Sequence, residues 1–96
     1  MDPANNSVSY SYNALANLNL RKLAEAEKSA LRALELDKNH NDPRIHFLLA
    51  QIYEAKGEPS NEAAQLREYL KFATDPGDVS MIKQSLAEVE ARIGKQ

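Results

Sequence analysis

The side chains best suited to metal chemistry lie in one short part of the chain. His40 and His46 are the only histidines, and Asp37 and Asp42 lie close to them in sequence. A zinc site requires several such groups that converge at fixed distances. Here one histidine falls in a predicted loop and the other near the start of a predicted helix. The pattern therefore favours structural or solvent-exposed histidines, and we predict no metal site.

Serine, histidine and aspartate all occur, but the local patterns that activate them for catalysis are missing. No serine lies on a glycine-flanked turn of the kind that presents a nucleophile. The three glycines form no glycine-rich loop that would hold a phosphate group. With zero cysteines, thiolate chemistry and a disulfide framework are excluded. We therefore predict a protein that is not an enzyme and binds no cofactor.

Composition and charge narrow the function classes further. The chain is 43% apolar and 27% charged, which is typical of a soluble globular domain. Twelve basic and 14 acidic side chains give a net charge of −2, which provides no basic surface for nucleic acid or anionic lipid. The longest apolar run, Phe47 to Ala50, is far shorter than the roughly 20 residues of a membrane span. We expect one soluble domain over residues 1–96, with no nucleic-acid partner, no membrane insertion and an undetermined compartment.

Helical periodicity dominates the chain and predicts five helices, at about residues 8–20, 23–36, 43–56, 58–73 and 78–92. Ser7 and Asp42 are the predicted N-caps of two of them. Gly57 is expected to end the third helix in the left-handed conformation. Residues 8–12 alternate apolar and polar side chains as a strand does, but no second strand is available to pair with them. We therefore assign them to the first helix and predict an all-α fold.

Apolar side chains at three- and four-residue steps form a stripe along these helices. In the second helix the stripe is rich in alanine, which allows a neighbouring helix to approach closely. The narrow stripe of the last helix would cover an open end of the fold, with self-association as the alternative use. The stripes are Leu23, Ala26, Ala30, Ala33 and Leu34; then Ala63, Leu66, Tyr69, Leu70 and Ala73; then Ile82, Leu86, Val89 and Ile93.

The order of the helices repeats along the chain. Aligning Ala14 with Ala50, 36 residues later, also places Ala30 on Leu66 and preserves the small or apolar class at further positions. A helix pair that recurs every 30 to 40 residues or so is the signature of a helical array, in which each unit buries its stripe against its neighbour. The periodicity therefore predicts an array of helix pairs.

Three stretches of this array resemble the tetratricopeptide repeat (TPR) family. One is similar to the first helix of such a repeat, one to the second helix and its exit, and one to the second helix of arrays associated with bacterial proteins. In that order they are His46-x2-Leu49-Ala50-x2-Tyr53-x3-Gly57, Ala26-x3-Ala30-x2-Ala33-Leu34-Glu-Leu-Asp37 and Leu66-Arg-Glu-Tyr-Leu-Lys-Phe72. The resemblance places a first repeat at about 8–38, a second at about 43–75 and a capping helix at about 78–93. Asn13, Asn17 and Glu62 depart from the pattern of the family.

The resemblance implies a right-handed superhelix of antiparallel helix pairs, which serves as a protein–protein interaction scaffold and binds a partner in its concave groove. Some members clamp the carboxylate of a chaperone tail with lysines and asparagines. The matching positions here are Ser11, Leu15, Leu48 and Ser80, so we predict no clamp of that kind. The groove residues that the resemblance implies are Ser11, Leu15, Leu18 and Asn19 from the first repeat, and Arg44, Phe47, Gln51 and Glu54 from the second.

Two functions of different class remain open at this point. The leading prediction is a protein- or peptide-binding module, and the alternative is a structural or oligomerisation element that fills its groove or covers its capping helix with a second copy, as a homodimer. Two and a half repeats are few for a stable array, which keeps the alternative open. Tyr10 and Tyr12 either anchor a bound peptide or close the edge of the first helix. The charges of the second helix are expected to form a solvated outer face; they are Glu25, Glu27, Lys28, Arg32 and Glu35.

Overall fold

The computed structural model describes residues 6–38 and 42–94. Within these residues the chain forms five α-helices and no strand, which confirms the all-α prediction. The helices are α1 (Ser7–Asn19), α2 (Leu23–Leu36), α3 (Arg44–Lys56), α4 (Pro59–Phe72) and α5 (Pro76–Gly94). Among them, none combines the length and the apolar composition needed to cross a membrane.

The start of α1 differs in one respect from the sequence prediction. Residues 8–12 are helical, as predicted, but Ser7 is not the N-cap. Asn6 holds that position, and its side-chain oxygen accepts a hydrogen bond from the N–H of Val8 at 2.7 Å. Asparagine caps as well as serine does, so Ser7 is available for another contact. Its hydroxyl donates to the carbonyl of Ala33 at 3.0 Å and ties the start of α1 to the end of α2.

Asp42 and Gly57 lie at the two ends of α3 and help to determine them. Asp42 was predicted as the N-cap, but Pro43 holds that position, so the helix begins one residue later than predicted. The carboxylate of Asp42 still accepts the N–H of Arg44 at 3.2 Å and satisfies a free amide of the first turn. Gly57 has φ 72°, which confirms the predicted left-handed end. The N–H of Glu58 then reaches back to the carbonyl of Tyr53 at 2.9 Å, a hydrogen bond typical of such helix ends.

The last helix is longer than predicted because its proline and glycine begin a helix instead of ending one. The carboxylate of Asp75 accepts the N–H of Gly77 at 2.8 Å, and its carbonyl accepts the N–H of Val79 at 2.9 Å. Proline at the first helical position loses no hydrogen bond. The helix therefore begins at Pro76, two residues before the predicted Asp78.

Each helix packs against the next one, and α1 also contacts α3. Links of three, two and three residues join α1 to α2, α3 to α4 and α4 to α5. Links this short place consecutive helices antiparallel to one another. The first and third helices therefore lie side by side, with α2 and α4 packed against them.

The densely apolar α3 is the central helix of the fold, with seven of its 13 residues buried. It contributes to both buried clusters, which explains why it has apolar side chains on more than one face. The first cluster joins α3 to α1 and α2, through Ala14, Ala26, Ala30, Ala33, Ile45, Leu48, Leu49, Ile52 and Tyr53. The second joins α3 to α4 and α5, through Ala50, Ala63, Leu66, Tyr69, Ile82 and Val89.

The predicted stripes of α2, α4 and α5 lie at these contacts. The three alanines of the α2 stripe are fully buried, which permits the close approach of α1 that their small size predicts. Ile82 and Val89 of α5 are buried against α4, and Leu86 and Ile93 pack beside them partly exposed. The narrow stripe of the last helix is therefore a packing surface within the chain.

Candidate functional site: the groove between α1 and α3

A groove with a volume of about 260 Å³ lies between α1 and α3 and is called here the α1–α3 groove. Its walls are mostly apolar, and α1 supplies three side chains that remain largely open to solvent. These are Val8, Tyr12 and Leu15, with exposed fractions of 50%, 69% and 42%. Spacings of four and three residues place them on one face of the helix. An exposed apolar stripe beside a concavity is the kind of surface that proteins use for contacts.

Five of the eight predicted groove residues lie in the lining of this groove, and three do not. Those that line it are Ser11, Leu15, Arg44, Phe47 and Gln51. Leu18 packs against the first buried cluster instead. Asn19 is exposed in the last turn of α1, and Glu54 is exposed on α3 outside the groove. The groove is therefore confined to the first two thirds of both helices.

The two tyrosines near the start of α1 have different environments. Tyr10 packs against the first buried cluster, and the guanidinium of Arg32 lies 6.0 Å from the centre of its ring. Tyr12 is two residues further on, which turns its side chain to the opposite side of the helix and into the groove lining. The sequence prediction did not include Val8 and Tyr12 among the groove residues, although it left open that Tyr10 and Tyr12 anchor a bound peptide. The signal that would have identified them is their shared stripe with Leu15.

Among the residues that the structure describes, Asp42 and Arg44 supply one pair of opposite charges to the groove lining. Nε of Arg44 donates to Oδ1 of Asp42 at 2.9 Å, and Nη2 donates to Oδ2 at 3.3 Å. The arginine side chain is 83% exposed and the aspartate 23% exposed. The neighbouring carboxylate raises the pKa of Arg44. This two-point contact fixes the orientation of the guanidinium and leaves three of its five N–H donors unused by Asp42.

Aromatic contacts with α4 support the wall of the groove on the α3 side. The ring of Phe47 meets the ring of Tyr69 edge to face, with 6.1 Å between their centres. The hydroxyl of Tyr69 donates to Asp78 of α5 at 3.4 Å, and burial raises the pKa of this tyrosine. The groove wall is thus backed by α4 and α5.

A second group of polar residues joins α2 to α3 and lies outside the groove. The carboxylate of Glu27 accepts the hydroxyl of Tyr53 at 2.9 Å and the ammonium of Lys56. The hydrogen bond from Lys56 lowers the pKa of Glu27, whereas burial and the nearby carboxylate raise the pKa of Tyr53 to about 12. Glu27 was predicted to belong to a solvated outer face, and that prediction is wrong because α3 packs over it. Arg32 and Glu35 do lie on the surface, as predicted, and form an ion pair at 3.1 Å.

A third group includes the buried Glu62, which departs from the pattern of the family that the sequence resembles. Its side chain is 7% exposed, and Oε1 accepts a hydrogen bond from Nη2 of Arg92 at 3.2 Å. Burial raises the pKa of Glu62, and the charge of Glu54 raises it further. Arg92 therefore balances two acidic groups at the contact between α5 and the α3–α4 pair.

Of the two histidines, the structure describes His46, which packs inside the fold. His46 is buried, stacks on the ring of Phe72 with 6.1 Å between ring centres, and places Nδ1 2.7 Å from Oε1 of Gln65. His40 lies outside the described residues. Over residues 6–38 and 42–94, no three histidine, aspartate or glutamate side chains gather closely enough to hold a metal ion.

Comparisons with known proteins add no assignment to this geometry. A scan of protein-family models and searches of curated proteins and of solved structures found no significant match to the chain. The functional argument therefore depends on the fold, the groove and the sequence resemblance described above.

Proposed function

We propose that the chain is a non-catalytic protein-interaction module, built as a short TPR-like superhelical array, that binds a protein segment in the α1–α3 groove. The observation that supports this most directly is the exposed stripe of Val8, Tyr12 and Leu15 beside a concave apolar surface. Large apolar and aromatic side chains that stay exposed mark contact surfaces.

The size of the groove favours side chains of a protein over a small molecule. Pockets that enclose small ligands have volumes of roughly 300–1,000 Å³. The α1–α3 groove, at about 260 Å³, is slightly smaller and is partly open to solvent. It has room for one or two inserted side chains. Its polar groups, chiefly Arg44 and Gln51, are suited to hydrogen bonds with a peptide backbone.

The resemblance of residues 66–72 to bacterial arrays adds a bacterial source to the proposal. The packing of α5 on α4 agrees with a capping helix, since its apolar stripe is buried within the chain. The antiparallel pairs α1–α2 and α3–α4 agree with two repeats.

A displayed library of random peptides tests the proposal without knowledge of the natural partner. The wild-type chain would be immobilised sparsely, so that two copies do not meet, and binders would be selected. Each binder is then measured against a Leu15→Ser, Gln51→Ala double variant. A matched control with two exposed substitutions on α2, Ala24→Ser and Lys28→Ala, alters the surface elsewhere.

We expect peptides rich in apolar and aromatic side chains that lose about tenfold or more in affinity for the groove variant and keep their affinity for the control. Peptides whose affinity is unchanged in both variants would show that the binding surface lies outside the groove. A failure to select any binder, with a wild-type chain shown to be folded and monomeric, would contradict the proposal.

A further inference from the structure

The first helix differs from the other four in its charge. α1 contains no aspartate, glutamate, lysine or arginine among its 13 residues. Each of the other helices carries at least three such residues. Charged residues are depleted at the centre of protein–protein contacts and aromatic residues are enriched. An uncharged surface helix with an exposed tyrosine therefore has the composition of a contact surface.

We propose that the α1–α3 groove is occupied by α1 of a second copy of this chain, in a two-fold homodimer centred on Tyr12. This inference rests on the proposed function, because it names the occupant of the same groove. Tyr12 lies at the middle of the exposed stripe, between Val8 and Leu15. In two antiparallel copies of α1, Tyr12 of one copy meets Tyr12 of the other. Val8 of each copy then meets Leu15 of the other copy.

Charge favours a second copy over a partner of either sign. A two-fold contact brings the same surface of both copies together, so a patch with net charge would repel itself. α1 has none, and the charged lining consists of Asp42 and Arg44, whose charges cancel. Across a two-fold axis the largely exposed arginine of one copy can approach the aspartate of the other. The patch therefore carries no net charge that would oppose contact with a second copy.

The volume of the groove agrees with this occupant. At about 260 Å³ it is slightly smaller than the pockets of roughly 300–1,000 Å³ that enclose small ligands. The ring of Phe47 in the groove wall is already held by its contact with the ring of Tyr69 behind it. The wall would therefore need little rearrangement on binding, which reduces the loss of side-chain freedom.

Sedimentation equilibrium of the full chain tests the dimer, over a concentration range of about 1 μM to about 500 μM. We expect the wild-type mass to rise with concentration from 10.7 kDa towards twice that value. Tyr12→Glu should remain monomeric over the whole range, because it would bury two carboxylates at the axis. Ala87→Glu, which adds the same charge at an exposed position of α5, should dimerise as the wild type does. Circular dichroism checks that both variants are folded.

A second measurement uses the absence of cysteine from the chain. Tyr12→Cys should form a disulfide-linked dimer under mild oxidation at a concentration where the wild type is dimeric, and Ala87→Cys should not. A wild-type chain that stays monomeric, or a dimer that persists in Tyr12→Glu, overturns the inference. If the dimer is overturned but selected peptides still lose affinity for the groove variant, the proposed interaction module is retained and only the occupant of its groove changes.

Discussion

Glu62 on α4 and Arg92 on α5 form an ion pair at 3.2 Å in which the glutamate side chain is 7% exposed and the arginine 55% exposed. The two residues are 30 positions apart, so the contact depends on the docking of the last helix. A second acid, Glu54, faces the same place from α3. The arginine therefore stabilises a buried carboxylate that the fold otherwise disfavours in its charged form.

The first prediction concerns Glu62→Gln, because burial raises the pKa of Glu62 above its ordinary value. Between the ordinary pKa and the raised one, the folded chain holds a proton that the unfolded chain has lost. Stability therefore falls as pH rises through that range, and this loss persists at higher pH. The uncharged glutamine resembles the protonated acid, so the variant should gain stability relative to wild type between about pH 4 and pH 7.

Thermal unfolding of both proteins across that pH range is the measurement. The exposed Glu88→Gln on α5 is the matched control and should show no such gain. A difference in Tm between Glu62→Gln and wild type that stays constant with pH would show that the pKa of Glu62 is not raised by folding.

The second prediction concerns Glu27→Gln and has the opposite sign. The hydrogen bond from Lys56 lowers the pKa of Glu27. A lowered pKa contributes stability above the ordinary value, and that contribution is lost as pH falls through the folded-state pKa. Glu27→Gln should therefore destabilise the chain at pH 7 and approach wild type in acid.

Tm measured for this variant from about pH 3 to about pH 7 checks the expectation. Glu25→Gln lies two residues away on the exposed side of α2 and serves as the control. Equal destabilisation by Glu27→Gln at both ends of the range would show that the glutamate acts through packing and not through its charge.

The local sequence pattern was sufficient for the five helices but not for every helix end. The helical segments and the left-handed end of α3 at Gly57 depend on residues close together in sequence, which is why they were predicted. The choice between Asn6 and Ser7 as the N-cap of α1 could not be predicted in this way, because the hydroxyl of Ser7 donates to the carbonyl of Ala33 on another helix. At Pro76, the side chain of Asp75 accepts the N–H of Gly77 and stabilises the start of a helix at the proline.

The groove could be predicted only in part, for a related reason. Its lining depends on how α1 is rotated against α3, and a stripe on one helix does not determine that rotation. Leu18 and Glu54 were placed in it by resemblance, but they face the first buried cluster and Glu62 respectively. The contact of Glu27 with Tyr53 joins residues 26 apart and likewise required the packed structure.

The third prediction uses Gly57, whose φ of 72° is unfavourable for residues with a side chain. A Cβ added there would meet no atom within 4 Å, so the conformation alone determines the effect. Gly57→Ala should lower the unfolding free energy by about 1–2 kcal/mol. Gly57→Asn should lower it less, because asparagine tolerates the left-handed region.

Denaturant unfolding of these variants gives the comparison. Gly94→Ala is the control, since a Cβ at Gly94 also meets no atom within 4 Å and its φ is not positive. If Gly57→Ala and Gly94→Ala are equally stable, the left-handed end of α3 contributes nothing that a side chain would disturb.

The last prediction tests whether α5 completes the core through its narrow stripe. Ile82 is 1% exposed, whereas the adjacent Met81 is 53% exposed, so the two positions offer a matched pair on one helix turn. Ile82→Ala removes buried methyl groups and leaves a cavity against α4, which should lower the unfolding free energy by about 2–5 kcal/mol. Met81→Ala should change it by no more than about 0.5 kcal/mol. A chain ended after Asp75 should lose cooperative unfolding altogether, because Leu66 and Tyr69 would be uncovered. If that shortened chain kept its helicity and a sharp thermal transition, α5 would be an appendage and the core would be complete without it.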